Sequence, residues 1–105
     1  MNTDLQSLYN TFSPRSRTSL IEALTVGAEI EELDIRDLMN QITAVDNRDI
    51  LLVYNNLLSA SRNHLRAFVK VLAQQGQTYQ PKYLSREVYD SIIGSAIEQG
   101  RRRGA

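Results

Sequence analysis

The sequence predicts an all-helical fold built on one long antiparallel helix pair with short flanking helices. Two apolar patterns of helical period, each more than two dozen residues long and free of proline, run over about 19–43 and 48–75. The connection between them, Ala44-Val45-Asp46-Asn47, is short enough to turn the chain straight back on itself. Gly76 closes the second pattern, the residue favoured just past a helix end. Two helices of this length, each about 40 Å at 1.5 Å per residue, form an αα-hairpin, the half-unit of a four-helix bundle.

Taken in order, Asp4 to Phe12 reads as a short helix with Leu5, Leu8, Tyr9 and Phe12 on one face, stopped before Pro14. The first long helix is expected to start near Thr18 or Ser19, where Ser19 and Glu22 have the spacing of a capping box. Asp46 or Asn47 can cap the second. Residues 77–85 read as loop, with Ser85 a cap for a last helix running to about Gln99 and ended by Gly100. Tyr79, Tyr83 and Tyr89 are placed to pack this tail over the hairpin. Residues 1–105 thus read as one domain, with 77–105 a C-terminal tail.

At 105 residues with 42% apolar content, the chain is long enough for one modest core. No stretch of about 18 apolar residues occurs, so no membrane span is expected. The first residues show no secretory signal, which makes a cytoplasmic location the default expectation. The absence of cysteine excludes disulfides, thiolate metal sites and cysteine nucleophiles. Net charge is zero, yet residues 1–49 carry nine acids and four bases while residues 50–105 carry three acids and eight bases. This split predicts attraction between an early and a late segment, with Arg62 and Arg66 answering the acids of the first helix. A neutral total argues against nucleic-acid binding, which needs a basic face. Arg101-Arg102-Arg103 reads as a solvated chain end.

Two polar residues interrupt the core stripes. On the first helix Leu20, Leu24, Ala28, Ile35, Leu38 and Ile42 share one line, and the position in its middle is Glu31. On the second, Ile50, Leu57, His64 and Val71 form one heptad series, and Tyr54, Ser61 and Phe68 its neighbour. Folded about residue 45, Glu31 and His64 fall within about 6–7 Å of each other along the axis. Helical side chains lean toward the N-terminus, so the two lean toward each other. An unpaired buried carboxylate costs several kcal/mol, which leaves two readings open: a Glu–His pair that fixes helix register, or one half of a carboxylate-and-histidine metal site. Asp34, Tyr54 and Ser61 are the supporting candidates around the pair. Glu29 and Glu32 point away from the stripe and read as solvated.

The segments Gly27-Ala28-Glu29-Ile30-Glu31-Glu32-Leu33-Asp34-Ile35, Ser61-Arg62-Asn63-His64-Leu65-Arg66-Ala67-Phe68 and Tyr79-Gln80-Pro81-Lys82-Tyr83-Leu84-Ser85 resemble a ferritin-like family, domain of unknown function family 2202. The likeness covers nearly the whole chain but corresponds to the second, C-terminal half of the family's domain. It implies half of a ferritin-like four-helix bundle of di-iron carboxylate type. Glu31 would match the single-Glu helix and His64 the histidine of a Glu-x-x-His pair. The glutamate of that pair is Ser61 here. The resemblance therefore implies iron, with zinc or manganese as alternatives, and an oxidoreductase chemistry for which one chain lacks the full ligand set. Completion would come from homodimerisation or from a preceding helix pair.

Two functions follow. One is a metal-binding ferritin-like bundle with Glu31 and His64 as ligands. The other is a non-catalytic dimerisation or interaction module in which those residues only set register, and in which Val26, Ile30 and Leu33, with Leu51, Leu58, Leu65 and Leu72, are further apolar strips needing cover. No nucleophile elbow or phosphate-binding glycine loop is present.

Overall fold

The chain doubles back at residues 45–47, where Asn47 takes the cap that the turn offers. Its side-chain oxygen accepts the amides of Asp49 (2.9 Å) and Ile50 (3.1 Å), so two donors that the first helical turn would leave unpaired are satisfied. In this computed structural model, which describes residues 14–95 and Glu98, the helices are α1 (Pro14–Ala44), α2 (Arg48–Gln74) and α3 (Arg86–Ile93). No strand occurs among the described residues. The helix expected over Asp4–Phe12 and the arginine run at 101–103 lie outside them.

Two helix ends differ from the sequence expectation. α1 starts at Pro14 rather than at the Ser19 capping box, because proline in a first helical turn gives up an amide that has no partner there anyway. α3 stops at Ile93, not near Gln99. Gly94 caps it, and the backbone at Glu98 is instead taken by the Asn63 side chain of α2. The other boundaries follow the residues: Ser85 caps α3 through the Val88 amide (3.2 Å), and Gly76 has φ +81°, a conformation natural to glycine.

α1 and α2 pack along their length around Leu24, Ala28 and Ile35 from α1 and Leu58, Leu65, Val71 and Leu72 from α2. The α1 stripe is the predicted one. The α2 stripe is so only in part: Ser61 and Val71 are buried and Phe68 packs on the core as expected, but the heptad series 58, 65, 72 also faces α1, and Ile50 and Leu57 are 43% and 49% exposed. Those two series lie about 80–100° apart around the helix. One other predicted weak point has a packing role. Gly27 lets the Phe68 ring lie against α1, where a Cβ would sit 2.8 Å from two ring atoms.

The segment after Gly76 returns along one flank of this pair and brings Tyr79, Tyr89 and Ile92 into the same core. Tyr79 and Tyr89 are buried with their rings 6.0 Å apart, while Tyr83 is exposed under the Arg36 guanidinium. On α1 the tail flank carries Glu29, Glu32 and Arg36, and on α2 it carries Ser59, Arg62, Asn63 and Arg66. Among the described residues the opposite flank stays open. It bears Ile50, Val53, Leu57 and His64 of α2 beside Glu31, Asp34 and Leu38 of α1.

Candidate functional site

The open flank brings together the pair that the sequence singled out. His64 Nδ1 lies 3.4 Å from Glu31 Oε2, an ion-pair distance longer than a tight charge-assisted hydrogen bond. The two side chains converge across the hairpin as their lean predicts. Their burial is unequal: the Glu31 side chain is only 15% exposed, while the His64 side chain is 63% exposed. The expectation that His64 is a core residue is thus corrected. It follows from the rotation of α2, which turns the 50, 57, 64 series out to solvent.

Burial pushes the Glu31 carboxyl above its ordinary value. The His64 imidazole opposes that, the Asp34 carboxylate adds to it, and the Ser61 hydroxyl pulls in the same direction as the imidazole. Ser61 is buried, Asp34 is exposed, and Tyr54 is half-buried two turns before Ser61. A groove of about 330 Å³ runs beside the pair, lined by Asp34, Asp37, Leu38, Gln41, Leu57 and Ser61. Glu31, His64, Asp34 and Ser61 therefore belong to one neighbourhood. Among the described residues, no group of three or more His, Cys, Asp or Glu side chains is placed to hold a metal ion. One chain supplies a carboxylate and an imidazole, two ligands where a protein site needs at least three.

A second carboxylate has a larger structural role than the sequence suggested. Glu32, expected in solvent, is completely buried. Its oxygens accept the Tyr79 hydroxyl and the backbone amides of Lys82 (3.1 Å), Tyr83 (3.0 Å) and Leu84 (3.0 Å). Glu29 is likewise engaged, 3.0 Å from Lys82 Nζ. Burial, then the hydrogen bond to Glu32, pushes the Tyr79 phenol well above its ordinary range. The signal was available in the loop: a segment at 77–84 without secondary structure has amides that must find acceptors when it packs on the core.

Arg62 and Arg66 also differ from expectation. They do not answer the acids of α1 but hold Glu98, whose carboxyl they lower to about 2, with Arg62 the larger cause. Among the described ion pairs the early-to-late charge attraction survives at Glu29–Lys82 and in the Glu31–His64 contact across the hairpin.

A family described as an uncharacterized protein domain, DUF2202, matches residues 1–96. The chain belongs to the DUF2202 family. It is similar to uncharacterized protein MJ0754 of Methanocaldococcus jannaschii, with 46% identity over 102 residues that cover 97% of this chain and 55% of the relative. The crystal structure of hypothetical protein MJ0754 superposes with a TM-score of 0.74, covering 93% of this chain and 56% of that one. The DUF2202 helices described above thus have a solved counterpart, and the chain spans about half the length of the relative it matches.

Proposed function

We propose that this chain is a half-bundle interaction module. Its open flank receives a second copy of the chain to form a ferritin-like four-helix bundle, with Glu31 and His64 setting the register at its centre. On this reading the chain corresponds to the C-terminal half of the DUF2202 domain. The observation that carries the proposal is the exposed apolar row Ile50, Val53 and Leu57 on the flank away from the tail. A monomer has little reason to leave three large aliphatic side chains in line, whereas a bundle interface requires them. Two helices about 40 Å long and 10 Å wide present a face of roughly 800 Å², what one partner contributes to a standard interface.

A second reading is favoured by the convergence of Glu31 and His64. Two copies would contribute two carboxylates and two imidazoles to one cavity, enough for one divalent ion such as iron, zinc or manganese. No redox step is assigned to it.

Substituting Leu57→Asp tests the first reading, because it charges the end of the row nearest His64 without touching the buried core. The variant should keep its helical circular dichroism and lose self-association by sedimentation velocity. An unchanged sedimentation coefficient for both proteins at monomer mass would overturn it. Metal analysis of tag-free protein, compared with Glu31→Ala and His64→Ala, tests the second. Equal metal content in all three would remove it while leaving the first intact.

A further inference from the structure

The flank of α2 that faces the tail carries a cluster that the bundle reading does not use. Ser59, Arg62, Asn63 and Arg66 follow the i, i+3, i+4, i+7 spacing of one helical face and converge on Glu98. Arg62 Nε donates to one Glu98 carboxylate oxygen at 2.6 Å, and its terminal nitrogen donates to the other. Arg66 adds a bond of 2.8 Å and the Ser59 hydroxyl one of 3.2 Å. Asn63 takes the main chain of the same residue from both sides: its amide nitrogen donates to the Glu98 carbonyl (2.6 Å), and its amide oxygen accepts the Glu98 N–H (2.8 Å).

Two features mark this cluster as a receptor. First, every donor belongs to a regular helix, and Arg66 is fixed independently of Glu98 by bonds to the Ile92 carbonyl (2.8 Å) and to Asn63 Oδ1 (2.7 Å). With Glu98 in place its side chain is only 10% exposed, and these two bonds do not depend on the acid. Second, what it holds is one residue outside any helix, read at once through its backbone and its carboxylate. A side-chain amide paired with both main-chain groups accepts any extended residue, and a bidentate guanidinium with a second arginine restricts that residue to an acid. An open groove of about 600 Å³, lined partly by Ile35, Met39, Val88 and Ile92, continues from the cluster and has room for flanking side chains.

We infer that Ser59, Arg62, Asn63 and Arg66 form a clamp for an extended acidic segment of a partner protein, and that the chain's own Glu98 occupies it in cis. A tethered ligand competes at an effective concentration on the order of mM, so a partner enters only where its segment outcompetes the tail or the tail is held elsewhere.

The probe is a fluorescein-labelled peptide of residues 94–100, with a second peptide carrying Glu98→Gln, titrated into the full-length chain bearing Glu98→Ala. The glutamate peptide should bind about tenfold or more tighter than the glutamine peptide, the loss expected for a charge-assisted contact. It should bind wild-type chain about tenfold more weakly than the emptied variant, and Arg62→Ala added to Glu98→Ala should abolish binding. A folded Glu98→Ala chain that binds neither peptide, or both alike, overturns the inference. So does a dimer that Glu98→Ala dissolves without uptake of peptide, which would mean tail exchange between copies. Wild-type chain gives a readout that depends on no variant. Excess glutamate peptide should move the Glu98 amide resonance toward its free-peptide position, and a fixed resonance overturns the inference.

Discussion

Replacing Glu32 by glutamine keeps the shape of the side chain and removes the charge that organises the loop at 79–84. Four donors meet this carboxylate: one phenol and three amides. Glutamine retains a single acceptor oxygen: in the Oε1 place it keeps the three amides through weaker, uncharged bonds, and the Tyr79 hydroxyl loses its carboxylate acceptor and meets an NH₂ group. Leaving a buried donor unpaired costs about 1–3 kcal/mol. Tyr79 is 6% exposed and pays in full, whereas Lys82 and Tyr83 are exposed residues whose amides regain some water. The expected loss is therefore about 1–3 kcal/mol for Glu32→Gln, and more for Glu32→Ala, which leaves a cavity as well. Against a typical total of about 5–15 kcal/mol this is a large fraction. Urea titration gives the global figure. Amide exchange locates it, since the loss should fall first on residues 79–93 while the centres of α1 and α2 keep their protection. A change below about 0.5 kcal/mol, with the amides of Lys82, Tyr83 and Leu84 as protected as before, would refute the assignment of Glu32 as the anchor of the tail.

Three further outcomes follow from the same geometry. Gly27→Ala should cost about 1 kcal/mol by chemical denaturation, because overpacking against Phe68 outweighs the gain in helix propensity, and in a Phe68→Leu background the same change should become stabilising. Glu98 is held well below the carboxylate range in the folded chain. Its contribution is thus fully present above the ordinary carboxylate pKa and lost as pH falls toward about 2, and the Glu98 amide should gain exchange in that window before the α1–α2 core does. Glu31 has the opposite sign, since its raised carboxyl makes the ionised form unfavourable in the folded chain. Glu31→Gln should therefore be at least as stable as wild type at neutral pH, and the difference should close as pH falls through the folded-state value, as thermal melts across pH would show.

The parts of this fold that were legible in the sequence are those fixed by local chemistry. Asn47 and Ser85 as caps, Gly76 as a stop and the α1 stripe all rest on groups within a turn or two of one another. The rotation of α2 was not legible, because its 50/57 and 51/58/65/72 series are both aliphatic and cover more than half the helix. Glu32 and the Arg62–Arg66 pair were misjudged for a related reason. Their partners lie 47–52 and 32–36 residues along the chain, at residues outside any helix that helical spacing cannot place. The Glu31–His64 meeting was legible because two straight helices and one tight turn leave little freedom in the axial register.

The most direct test of the half-bundle account is the solution mass of the wild-type chain by light scattering across about 1–100 μM. The account predicts twice the chain mass over the upper part of that range, with a melting temperature that rises with concentration. A well-folded species at the mass of one chain throughout, melting at a concentration-independent temperature, would contradict it.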